Sequence, residues 1–192
     1  MSSPDDSPWR CFVAVPIDEE LRSAVAATVA ELRRHDNDGA WRWNDAEGWH
    51  VTIAFLGATD QASIPDLASG LAAVAGAHPS FTLAAGGVGA FPGPRRARVL
   101  WYGVADPRGE LRRLAGAAAR AVGLPDAGRF RGHITLARAR DHEGADASGL
   151  VAAPAAPGTL RVDRLVLFRS HLGRGPAHYE AIATVPLGGT ST

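Results

Sequence analysis

The sequence predicts an α+β fold of two lobes related by a pseudo-twofold axis, with a cleft between them. Three observations carry that expectation. The segment His50-Val51-Thr52-Ile53-Ala54-Phe55 returns in the second half of the chain as His133-Ile134-Thr135-Leu136-Ala137-Arg138. The order strand, helix, His-x-Thr strand over residues 10–56 is repeated over residues 98–138. The chain has 192 residues, 46% of them hydrophobic, enough to bury a core as one domain or as two intimately packed lobes. A twofold relation of this kind sets the two histidine-bearing faces opposite each other across the cleft.

The elements follow in order. Residues 1–9 are polar and proline-punctuated and residues 188–192 are small and polar, so both are expected as flexible tails around a single bilobal domain, 10–187. Residues 10–16 read as a strand, and Asp18 is placed to cap a helix whose apolar positions Leu21, Val25, Val29 and Leu32 keep helical spacing. Strands at 41–43 and 50–56 precede a helix from about Ser63, with Ile64, Leu67, Leu71 and Val74 on one face. Strands at 81–90 and 98–104 flank the turn Phe91-Pro92-Gly93-Pro94. A third helix after Pro107 turns Leu111, Leu114, Ala118 and Val122 inward, and 133–138 is the second motif strand. Residues 145–158, rich in Ala, Pro and Gly, are mostly loop with a short helix near 149–152, and two strands, 160–168 and 179–187, close the chain.

Charge narrows the function. All 20 basic residues are arginine, they balance 20 acidic ones, and the formal net charge is zero. Such a chain has no general basic surface for gripping long nucleic acid regardless of sequence, and a small ligand or a nucleic-acid end suits it better. The lone Cys11 excludes an intramolecular disulfide, the first residues do not resemble a secretory leader, and no apolar run approaches the ~20 residues of a membrane span. A cytoplasmic protein with no membrane partner is expected.

The paired segments carry the chemistry. In a strand, His and Thr at i and i+2 share one face, while Val51 with Ile53 and Ile134 with Leu136 point into a core. Chance supplies a His-x-Thr in this composition roughly 0.3 times, and matching apolar residues lower that several-fold, so two copies indicate design. Two imidazoles suit in-line displacement at phosphorus: one takes a proton from the attacking oxygen, the other gives one to the leaving oxygen. Two hydroxyls beside them can donate to the non-bridging oxygens. A 2′,3′-cyclic phosphodiester fits this apparatus, because its ring is already strained and it asks for no metal.

These segments resemble the paired H-x-T-x motifs of the two-histidine (2H) phosphoesterases and, within them, the RNA 2′,3′-cyclic phosphodiesterase (2′-5′ RNA ligase, LigT-like) family. Arg10-Cys11-Phe12-Val13-Ala14-Val15, Phe91-Pro92, Val99-Leu100-Trp101 and Leu165-Val166-Leu167-Phe168-Arg169-Ser170 extend the resemblance from about Arg10 to Leu187. The resemblance implies that each lobe is a mainly antiparallel sheet with packed helices. It implies His50 as proton donor, His133 as proton acceptor, and Thr52 and Thr135 as phosphate ligands, although the residues alone leave acid and base unassigned between two near-symmetric histidines. It implies hydrolysis of RNA-terminal 2′,3′-cyclic phosphates to 2′-phosphates, and for some members joining or cleaving 2′-5′ linkages in tRNA processing; a monomer without a cofactor is expected.

The flanking residues are read less simply. Arg131, two before His133, should share its face, whereas strict alternation sets Arg138 on the opposite one; both are kept as substrate-binding candidates. Phe55 and Phe130 are candidates for stacking a nucleobase, as are Trp49, Phe91 and Trp101, while His171, His178 and Tyr179 beside a Gly-rich loop are read as surface. No metal is expected: His142 with Glu143 is the nearest pair of ligand types and lacks further ligands at zinc spacing. Two alternatives stay open: a phosphodiesterase for small cyclic nucleotides or 2′-5′ oligonucleotides, and a non-catalytic module that binds RNA ends.

Overall fold

Residues 7–36, 38–125, 130–171 and 178–188 are described in the computed structural model. The first strand-helix unit forms as its pattern dictates. β1 (Trp9–Pro16) runs through the core, and Asp18 accepts a hydrogen bond from the Leu21 backbone N–H at 2.9 Å to cap α1 (Glu19–Arg34). Glu19 and Glu20 in the first turn and Arg33 and Arg34 in the last complement the helix dipole. Leu21, Val25 and Leu32 are fully buried, each worth about 2 kcal/mol of transfer free energy. Then come β2 (Trp41–Trp43), β3 (His50–Thr59), α2 (Ile64–Gly76), β4 (Phe81–Phe91), β5 (Val99–Val104), α3 (Glu110–Ala121), β6 (His133–Ala139), α4 (Ser148–Ala152), β7 (Gly158–Val162), β8 (Arg164–His171) and β9 (His178–Pro186).

All described pairings are antiparallel, and the strands form one sheet in the order β7-β4-β5-β6-β3-β1-β8-β9, with β2 added on β6. The pseudo-twofold axis passes between β6 and β3, so the two motif strands are central and adjacent. The lobes are therefore halves of one sheet, joined where Val51 pairs with Ile134. The helices interlock the halves further. α1, which follows β1, packs on β7 of the opposite half, and α3, which follows β5, packs on β3, with α2 against α3, β8 and β9.

The predicted strand 160–168 is two strands. β7 and β8 meet at Asp163 yet lie on opposite flanks, with five strands between them. A flat sheet would hold them about 29 Å apart, so the sheet curls until one residue bridges its flanks. Asp163 fastens the crossing: its carboxylate pairs with Arg161 at 3.1 Å and Arg164 at 2.8 Å, and its carbonyl accepts from the Leu187 N–H at 2.8 Å. The chain ends also differ from expectation. Trp9 belongs to β1, pairs with Thr59 and lies under the Arg169 guanidinium at 4.2 Å, and Gly188 donates to Ala75 O at 2.9 Å. Residues 1–6 and 189–192 of the expected tails lie outside the described residues.

One face of the curled sheet is covered by helices and forms the core, where Leu100, Tyr102, Ile134, Leu136, Leu165 and Leu167 are fully buried. The Tyr102 hydroxyl finds the carbonyls of Ala156 (2.5 Å) and Ala85 (3.3 Å), which satisfies it inside that core. The other face is the cleft.

Candidate active site

The single pair Val51–Ile134 determines the geometry of the site. Continuing an antiparallel register by one residue sets His50 across from Thr135 and Thr52 across from His133. The two imidazoles are then diagonal neighbours, about 7–8 Å apart at the backbone, each beside the hydroxyl of the other motif. All four side chains are partly exposed while Val51, Ile53, Ile134 and Leu136 are buried, as the alternation requires. Neither threonine hydroxyl has a partner among the described residues, so both are free to donate.

Each ring is held in the same way. His50 Nδ1 lies 2.7 Å from Gly48 O, and His133 Nδ1 lies 2.8 Å from Arg131 O. A carbonyl only accepts, so Nδ1 carries the proton and Nε2 is left for a ligand. His50 is enclosed by Phe12 (4.8 Å between centroids), Tyr179 (5.2 Å) and Phe168 (6.3 Å). Burial in this aromatic box pushes its pKa down to about 4, against the raising effect of the Gly48 carbonyl and with a further lowering by His133. His133 is also lowered, first by burial and then by the charges of Arg138 and Arg131, against the raising effect of the Arg131 carbonyl. Both imidazoles are thus neutral in the free site at pH 7, and an anion between them would raise both.

Arg138 reaches the cleft against strict alternation. In the pairing of β3 with β1 the register shifts between Val13 and Ala14, and in that of β6 with β5 it shifts between Leu100 and Trp101. Each motif strand thus carries a β-bulge at the same place, with Ile53 and Ala54 both buried, and Leu136 and Ala137 both buried. The extra residue resets the alternation, so Phe55 and Arg138 return to the face of His50 and His133. Nothing in local composition marks the bulge; the repeated Ile-Ala and Leu-Ala apolar pairs are its only trace.

The surroundings break the symmetry. Trp101 on β5 pairs with Thr135, where β1 offers only Ala14 opposite Thr52. Trp101 lies across Gly89, which leaves no room for a Cβ (2.1 Å to the ring), and it contacts Phe91 at 5.3 Å and His133 at 6.3 Å. Phe91 meets His133 edge-on at 5.1 Å, and the Arg131 guanidinium lies 5.4 Å from the Trp101 centroid. Of the stacking candidates, Phe55 is exposed (68%), 6.3 Å from Phe12. Trp49 is buried in the core, and Phe130 packs, half-buried, against that core. Sequence reasoning missed Phe12 and Phe168, and it read Tyr179 as surface, whereas Tyr179 forms the edge wall of His50. Tyr179 and His178 alternate on β9, so His178 and His171 face away, where His171 bonds Glu180 at 2.8 Å. Among the described residues no group of three or more His, Cys, Asp or Glu could hold a metal.

A curled antiparallel sheet whose two central strands offer paired imidazoles and hydroxyls to one cleft defines the class: a two-histidine phosphoesterase. The sequence model described as LigT-like phosphoesterase matches residues 15–101 and 103–178, and the chain belongs to that family. An RNA 2′,3′-cyclic phosphodiesterase of Geobacillus stearothermophilus is 33% identical over 92% of this chain and 56% of its own length, so the chain spans little more than half of that relative. One of Archaeoglobus fulgidus is 32% identical over 68% of this chain and 73% of its own. The crystal structure of E. coli LigT in apo form superposes with a TM-score of 0.74 at 28% identity, covering 95% of this chain and 99% of that one; complexed with phosphate the same protein gives 0.71. No helix among the described residues is long and apolar enough to cross a membrane.

Proposed function

We propose that the protein hydrolyses RNA-terminal 2′,3′-cyclic phosphate to a 2′-phosphate by paired-histidine acid-base catalysis. The observation that carries this reading is the diagonal His-Thr arrangement with both Nδ1 atoms tied to carbonyls, since it leaves two Nε2 atoms and two hydroxyls available on one face of adjacent strands. The relatives named RNA 2′,3′-cyclic phosphodiesterase support the choice of substrate.

In this mechanism Thr52 and Thr135 donate to the non-bridging oxygens, and Arg138 balances their charge. His133 Nε2 takes a proton from water as its oxygen bonds to phosphorus. The bond from phosphorus to the 3′ oxygen breaks, and His50 Nε2 gives that oxygen a proton. Two features support this division. Burial lowers both histidines, and at His133 the charges of Arg138 and Arg131 add to it, which favours the neutral ring and suits a base. His50 is depressed mainly by its apolar surroundings, so an anion brought against it favours imidazolium and readies it as an acid. Both halves of the site come from one chain, which supports a monomer, and an RNA substrate suits the cytoplasm.

The test is the product formed from a defined RNA ending in 2′,3′-cyclic phosphate, read by phosphorus NMR. A 2′-phosphate is expected. A 3′-phosphate would overturn the assignment of His50 as donor to the 3′ oxygen, and absence of turnover would overturn the activity. Turnover confined to mononucleoside cyclic phosphates would favour a small-nucleotide phosphodiesterase.

A further inference from the structure

We infer that Arg42 joins Arg138 in a second anion subsite, which holds the phosphodiester adjoining the terminal cyclic phosphate of an RNA chain. The inference rests on the reading of the cleft as an RNA-end site. β2 pairs with β6 in the register Trp41–Ala139, Arg42–Arg138 and Trp43–Ala137. Trp41 is buried, and the Trp43 indole N–H donates to Asp36 at 2.9 Å with Arg33 over its ring, so these two side chains face the core side. Arg42 therefore projects, exposed, from the cleft side, directly across from Arg138.

Two like charges in direct cross-strand register destabilise a sheet. Some guanidinium groups of the chain find carboxylates, as Arg34 does with Glu31, Arg96 with Glu143, and Arg161 and Arg164 with Asp163; what distinguishes Arg42 and Arg138 is that they face each other in register. Neither Arg42 nor Arg138 has an ion-pair or hydrogen-bond partner among the described residues. A pair of facing guanidiniums left without a carboxylate is arranged for an external anion, and their planar forks suit phosphate oxygens.

Position selects which phosphate. Arg138 lies three residues beyond Thr135, one of them absorbed by the bulge, which is about 7 Å along the strand and of the order of one nucleotide step from the phosphate between the histidines. Arg42 stands across from Arg138 on β2, which borders β6 on the side of β3. Among the described residues no strand takes the corresponding place between α3 and β6. The antiparallel register puts Phe55 at the other end of the cleft. Arg42 and Arg138 at one end and Phe55 with the single Arg131 at the other make the near-symmetric histidine pair directional, with the RNA chain leaving over Arg42.

The experiment measures binding rather than turnover: fluorescence anisotropy of a 5′-labelled RNA oligomer ending in a 2′-phosphate, with a nucleoside 2′-phosphate as competitor, over a salt series. Arg42→Ala and Arg42→Gln should each weaken the oligomer about tenfold more than the mononucleotide. They should lower the slope of log Kd against log salt by about 0.7, as for one lost phosphate contact to a single strand, and Arg42→Lys should recover most of that slope. Arg112→Ala, exposed on α3 on the opposite, helix-covered side of the sheet, should leave the slope as in the parent. Equal weakening of oligomer and mononucleotide, or an unchanged slope, would overturn the subsite. Failure of the parent protein to turn over any cyclic phosphate would instead refute the proposed activity, and the anisotropy would still decide the role of Arg42.

Discussion

Lowering the pH should unfold this protein through His50. Its imidazole sits among Phe12, Phe168 and Tyr179, which hold its pKa at about 4 in the folded state, against about 6.5 in an unfolded chain. The unfolded state therefore binds more protons between those values, and stability is intact above pH 6.5 and lost as the pH falls toward 4. The full effect is about 3 kcal/mol, of which about 2 kcal/mol is gone by pH 5. His133, lowered for similar reasons, acts in the same direction. Urea unfolding at about pH 7.5 and pH 5 checks this on the parent and on His50→Gln, which keeps a polar side chain but cannot titrate. The parent should lose about 2 kcal/mol more than the variant between the two conditions. Inorganic phosphate should shrink the difference, because an anion in the cleft stabilises imidazolium. Equal losses in the two proteins would refute the claim that the aromatic box holds His50 neutral.

Replacing either His50 or His133 by Ala should lower turnover of an RNA cyclic phosphate about 10² to 10⁴-fold, with the double variant little worse than the poorer single one, as steady-state kinetics would show. Thr52→Val or Thr135→Val should cost less, about tenfold, since each removes one hydrogen bond and keeps the strand. Turnover should persist in EDTA; loss with chelator and recovery with a divalent ion would count against the mechanism. Gly89→Ala should cost about 1–3 kcal/mol by overpacking, because the new Cβ meets the Trp101 ring; Trp101→Leu in the same chain should restore stability, read by urea unfolding.

Much of this protein is local in origin and therefore readable along the chain. The His-x-Thr periodicity, the Asp18 cap with Leu21, Val25, Val29 and Leu32 behind it, and the repeated strand-helix-strand order all arise from interactions within a few residues, and the structure follows them. Long-range contacts decided the rest. In residues 160–168 the adjacent polar pair Asp163-Arg164 interrupts the apolar pattern, but only the curl of the sheet shows that the chain crosses between flanks there. Arg138 and Phe55 join the histidines because the bulges opposite Val13 and Leu100 shift each strand by one residue, a register effect that depends on the partner strand. Tyr179 meets His50, and Arg42 meets Arg138, through pairings between distant segments. Sequence by itself singled out the candidate groups for the chemistry, because residue type and period carry that information. Tertiary structure alone decided what surrounds them, because the faces, charges and burial that tune two near-identical histidines come from strands far apart in the chain.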